Sequence, residues 1–114
     1  MNNKQIKFYP DFYQLHSYTW QGKFPDTSPF KHPAAAYHSD KPLLVGEFST
    51  VCSESKNPVK NYRYLYESGY AGALAWQEIE NEGGKGCSDK KAEADAGMQA
   101  VGHLTTHGHV RVKI

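Results

Sequence analysis

The sequence contains only two cysteines, Cys52 and Cys87, and they do not form a CxxC pair. That spacing excludes a zinc knuckle and a thioredoxin-type motif. The two residues are either a disulfide pair or two free thiols. If bridged, they close a loop of about 35 residues and imply an oxidising compartment. Charge of one sign is also lacking. Thirteen Lys and Arg against twelve Asp and Glu leave a formal charge of +1. The basic residues are spread along the chain, and a nucleic-acid footprint needs them clustered on one face. No apolar run approaches the roughly 18 residues of a membrane span. The first residues, Met1-Asn2-Asn3-Lys4-Gln5-Ile6, include a basic residue but no apolar stretch, so they do not read as a signal peptide. On that reading the chain is cytosolic, or Met1 starts an incomplete gene product.

Aromatic residues are abundant instead. Eight Tyr, five Phe and two Trp make up 13% of the 114 residues, and many fall between Phe8 and Tyr37. Such rings pack cores, and they also stack on the apolar faces of pyranose sugars.

The length suits one domain or less. The segment Phe12-Tyr13-Gln14-Leu15-His16-Ser17-Tyr18 reads as a short strand. A loop rich in Gly, Pro, Asp and Ser runs from Gln21 to Pro29, and Pro33 to Tyr37 forms a short helix. Leu43-Leu44-Val45-Gly46-Glu47-Phe48 is a continuous apolar run ending on a carboxylate, as expected of a parallel strand buried on both faces. Asn57-Pro58 is a helix start, with Asn as N-cap and Pro in the first turn. Val59, Tyr62, Leu65 and Tyr66 follow at helical spacing, and Ser68-Gly69 supplies the stop. Ala71 to Trp76 is a third strand, followed by a polar loop from Gln77 to Lys90. Ala92 to Leu104 reads as a helix carrying Met98 and Val101. The alternating tail Val110 to Ile114 reads as a last short strand. Alternation of strand and helix indicates parallel strands joined by helical crossovers.

In parallel α/β folds the chemistry sits at the carboxyl ends of the strands. Those ends carry His16 and Tyr18, then Glu47, then Trp76. A carboxylate at the end of a buried strand is costly unless it is paired or used. Other patterns are weaker. His103, His107 and His109 lack an acidic or Cys partner beside them, so no metal or cofactor is expected. Gly83-Gly84-Lys85-Gly86 lacks both the spacing and the preceding strand of a phosphate loop. Ser49 and Ser53 lie near Glu47 without a Gly-x-Ser-x-Gly elbow.

Three segments together resemble the last three strands of glycoside hydrolase family 5, its mannanase-like branch in particular. They are Asp11 to Tyr18, Lys41-Pro42-Leu43-Leu44-Val45-Gly46-Glu47-Phe48, and Gly69-Tyr70-Ala71-Gly72-Ala73-Leu74-Ala75-Trp76. The resemblance extends from Tyr9 to Leu104. It implies an α/β chain that is part of a (β/α)8 barrel, strands six to eight with their helices, in one unit over residues 1–114. It implies Glu47 as the nucleophile, His16 and Tyr18 as the residues that orient it, and Trp76 as the platform under the sugar. Trp20 and Gln77 join Trp76 as substrate-binding candidates. The implied substrate is a β-1,4-linked polysaccharide, mannan or glucan, and the implied parent protein is secreted.

Retaining hydrolysis needs a second carboxylic acid about 5–5.5 Å from the first. In the family it is a Glu preceded by Asn after the fourth strand, which would precede this sequence. Asn81-Glu82 supplies the dipeptide in the wrong place, and Glu78 and Glu80 read as solvated loop carboxylates. A full barrel takes about 250 residues. Three strands cannot close, so the expectation is an inactive part-barrel that self-associates or pairs with the missing part. The alternative is a non-catalytic carbohydrate-binding or structural module that keeps the aromatic surface.

Overall fold

The computed structural model describes residues 9–20, 24–76, 87 and 89–105. Gln77, Glu78, Glu80, the Asn81-Glu82 pair, residues 83–86, His107, His109 and the tail at 110–114 lie outside them.

Strands β1 (Tyr13–Ser17), β2 (Leu43–Phe48) and β3 (Gly72–Ala75) form a parallel sheet in chain order. Helix α2 (Pro58–Glu67) crosses from β2 to β3, and α3 (Lys91–Gly102) follows β3. The connection from β1 to β2 holds a single helical turn, α1 (Phe24–Thr27), and a 3-10 turn at Ala34–Tyr37. The sequence reading had α1 inside a loop. A four-residue helix is too short to leave a periodic signature, so local composition alone concealed it. The segment before Ser39 does turn helically, but with the tighter 3-10 bonding.

Local signals account for α2. The Asn57 side chain accepts the Lys60 N–H at 3.0 Å, and Pro58 occupies the first turn, where its missing donor costs nothing. Gly69 ends the helix with φ of 86°, a left-handed conformation that side chains with a Cβ resist. Tyr62 and Leu65 point into the core as their spacing predicts, and buried Asn61 joins them. Val59 does not; it lies on the exposed side.

The core lies between the sheet and α2, where Leu43, Val45 and Phe48 pack against Tyr62, Leu65 and Tyr70. Phe48 meets Phe30 and Tyr62 edge-on at ring separations of 5.4 and 5.3 Å. Helix α3 packs on α2 through Ala94 and Gly97 rather than through Met98, which is exposed. The close approach needs a glycine: a Cβ on Gly97 would stand 2.3 Å from Cδ2 of Tyr62. Of the two apolar residues that the sequence places on this helix, Val101 packs against the core and Met98 does not.

Side chains alternate between the two faces of a strand. The sheet face opposite α2 is not packed by any helix of the described chain. Leu74 on β3 is 59% exposed, an apolar residue on an uncovered surface. A parallel sheet ordinarily has both faces covered. This one is open as a strip cut from a barrel would be.

Candidate active site at the strand ends

The register between β1 and β2 shifts by one residue after Leu15, which brings His16 opposite Glu47. The slip matters because successive strand residues point to opposite faces. As a result, Glu47 is met by two residues from the neighbouring strand end. The Tyr18 hydroxyl donates to Oε2 of Glu47 at 3.0 Å, and Nδ1 of His16 lies 3.6 Å from the same oxygen. Glu47 is half-buried, so its remaining surface is open to a reactant.

Burial and then the adjacent Glu47 carboxylate push the Tyr18 phenol well above its usual range. Tyr18 is therefore a fixed hydrogen-bond donor. Tyr18 also stacks on Trp20 with ring centroids 5.6 Å apart, and Trp20 is 67% exposed. Trp76, at the end of β3, is 42% exposed. The strand ends thus carry two indoles with accessible ring surface, of the kind that stacks on a sugar.

The strand ends are tied together by the segment after Glu47. The Thr19 N–H donates to the Cys52 carbonyl at 2.8 Å, and the Trp76 N–H donates to the Phe48 carbonyl at 2.7 Å. Cys52 and Cys87 are joined by a disulfide with Cα atoms 5.3 Å apart. Asp89 went unremarked in the sequence. It is 2% exposed, and its carboxylate accepts the backbone N–H groups of Thr50 at 2.8 Å and Val51 at 3.2 Å. An acidic residue in a polar loop gives no sign of burial in the sequence, and only the fold reveals it for Asp89.

Among the described residues no cluster of three metal-ligating side chains occurs, and no helix is long and apolar enough to cross a membrane. A cavity of about 340 Å³ lined by Phe30, Glu54, Lys60 and Tyr64 lies beside α2, and none of His16, Tyr18, Glu47 or Trp76 lines it. The strand-end site is the better candidate despite being open, because it gathers a carboxylate, a donor and aromatic surface.

Buried tyrosines give the chain an alkaline limit. Burial raises Tyr18 and Tyr70, and pushes Tyr62 up to about 12. In the unfolded chain these phenols ionise near pH 10. Their stabilising contribution is complete below that pH and is lost as the pH rises towards the folded values. Above pH 10 each such tyrosine should therefore cost up to about 1.4 kcal/mol of stability per pH unit. Thermal melts should be level through about pH 9 and fall steeply beyond pH 10. Tyr62→Phe should make the fall shallower, and an equal slope in that variant would contradict the assignment.

The class that these features define is a parallel α/β protein with a candidate site at the carboxyl ends of its strands. No protein-family model matches the chain. It is 47% identical over 92 residues to a mannan endo-1,4-β-mannosidase from Cryptopygus antarcticus, covering 80% of this chain and 23% of that protein. A Mytilus edulis mannan endo-1,4-β-mannosidase is 32% identical over 94 residues, again 80% of this chain and 26% of the relative. The crystal structure of the Cryptopygus antarcticus β-1,4-D-mannanase superposes with a TM-score of 0.73 at 40% identity, over 91% of this chain and 29% of that one. The chain is homologous to part of the β-mannanases of glycoside hydrolase family 5, and the match fits a C-terminal segment of them. It spans about a quarter of the length of the relatives it matches.

Proposed function

We propose that the chain is the C-terminal part of a retaining β-1,4-mannanase barrel, with β1, β2 and β3 as its sixth, seventh and eighth strands and residues 1–114 as one unit. In this reading Glu47 is the nucleophile. Its oxygen bonds to the anomeric carbon as the glycosidic C–O bond breaks, and water later releases the sugar from the enzyme. His16 and Tyr18 orient the carboxylate, Trp76 floors the sugar, and Trp20 and Gln77 extend the binding surface. No cofactor is needed. The leaving oxygen takes a proton from an acid that lies in the rest of the barrel, so the isolated chain is inactive. The names of the relatives favour mannan over glucan. The parent enzyme is secreted, in keeping with the disulfide.

The observation that carries this reading is the Tyr18 hydroxyl and His16 ring meeting one oxygen of a carboxylate at a strand end. The test is to replace the matching quarter of the Cryptopygus antarcticus enzyme with this chain. The chimera should release reducing ends from β-mannan, and the 114 residues alone should release none. A folded but inactive chimera would count against the reading, as would a clear rate from the chain alone.

A second reading rests on the exposed Trp20 and Trp76: a non-catalytic carbohydrate-binding module. Binding of β-1,4-mannohexaose by the isolated chain that survives Glu47→Ala but fails in Trp76→Ala, joined to an inactive chimera, would favour it. The open sheet face also predicts pairing, either with a second copy or with the rest of a barrel. Light scattering behind size exclusion distinguishes these from a monomer.

A further inference from the structure

We infer that Asp89 is a positioning residue that sets the geometry of the strand-end site by clamping the segment after Glu47 to the backbone of Trp76. The inference rests on the reading of Glu47 and Trp76 as site residues, and it adds a residue from outside the three strand ends.

Three bonds made by Asp89 carry it. The carboxylate accepts from Thr50 and Val51, the third and fourth residues after Glu47. Its own N–H donates to the Trp76 carbonyl at 2.7 Å. One residue therefore fixes the rung that follows the proposed nucleophile and the residue that carries the proposed platform. The Trp76 N–H completes the rung by bonding to the Phe48 carbonyl. Hydrogen bonds to a carboxylate are shorter and stronger than neutral ones, and this one is almost wholly out of water.

The disulfide alone would not do this. It joins Cys52 to Cys87, but its side-chain linkage leaves the amides of Thr50 and Val51 without acceptors. Two successive backbone donors aimed at one carboxylate form an anion-binding concavity, and Asp89 supplies the anion from within the chain. With both oxygens engaged as acceptors, Asp89 is not a proton donor to substrate. Its action is through Glu47 and Trp76.

The experiment uses the 114-residue chain carrying Trp20→Phe, in which Trp76 is the sole tryptophan. Asp89→Asn keeps one acceptor, and Asp89→Ala keeps none. Trp76 emission should move to longer wavelength, and acrylamide quenching should rise, in the order parent, Asn, Ala. Tyr70→Phe removes a part-buried bond to the His32 carbonyl, which involves none of the site residues. It should lower the melting temperature without moving Trp76 emission. Binding of β-1,4-mannohexaose should weaken by about tenfold or more in Asp89→Ala, as expected when a binding group is misplaced. If Asp89→Ala does not fold, the Asn variant decides. Unchanged emission and quenching in the folded Asn variant would overturn the inference. If the parent chain does not bind mannohexaose, the sugar-binding reading is what fails, and the emission series still decides the role of Asp89.

Discussion

Glu47→Gln in the chimeric enzyme is expected to abolish mannan hydrolysis, on the order of a thousandfold loss or more, as for other nucleophiles. The substitution is nearly isosteric, and the amide oxygen can still accept the Tyr18 hydroxyl. Folding and sugar binding should therefore survive, and the loss should fall on kcat. An amide does not form the glycosyl ester that retaining hydrolysis requires. The complementary test uses Glu47→Ala with azide. If the carboxylate is the nucleophile, azide enters from the vacated side and the sugar azide has inverted configuration. A sugar azide of retained configuration would make Glu47 the acid instead, and near-parental turnover in the Gln variant would remove it from the chemistry.

Reduction of the Cys52–Cys87 bridge carries the largest expected effect on stability. The bridge spans a sequence separation of 35 residues. Closing such a loop restricts the unfolded chain and is worth about 3–4 kcal/mol in the chain-entropy model. For a domain of this size that corresponds to a fall in melting temperature of about 15 °C or more. Calorimetric scans with and without reductant, and of the Cys52→Ala, Cys87→Ala double variant, measure it. Equal melting temperatures would mean that the bridge adds nothing. The physical expectation is otherwise, because the bridge restricts the unfolded chain. Asp89 acts beside it in the folded chain. It fastens the same two segments by hydrogen bonds, so the reduced chain should keep the sheet while losing stability.

The two effects concern different levels of the molecule. Glu47 acts on a bond in a substrate, and its loss should leave the fold intact. The disulfide acts on the unfolded ensemble, and its loss should leave the arrangement of His16, Tyr18 and Glu47 intact once the chain is folded. Measuring both stability and activity in each variant separates them.

Much of this architecture was legible along the chain because its causes are local. Asn57, Pro58 and Gly69 bound α2 through a cap, a fixed φ and a positive φ, each acting within a few residues. The run Leu43 to Phe48 identified a buried strand by composition, and its terminal carboxylate was conspicuous because charge is costly there. The packing of α3 was legible only in part: Val101 packs against the core, but Met98 does not. Met98 is the more hydrophobic residue, yet Gly97 makes the contact, because the space is set by Tyr62 on another helix.

The alternation of strands and helices along the chain, the candidate carboxylate at the end of β2 and the aromatic supply were thus determined by the sequence itself, through short-range preferences that need no tertiary partner. Three things were decided only by the tertiary structure. They are the slip after Leu15 that sets His16 opposite Glu47, the burial of Asp89 against the amides of Thr50 and Val51, and the joining of Cys52 to Cys87. Each depends on groups far apart in the chain, 31 residues for His16 and Glu47 and 39 for Asp89 and Thr50. Their distances are fixed by how neighbouring strands register and how the segments beyond them close, and no local preference encodes that.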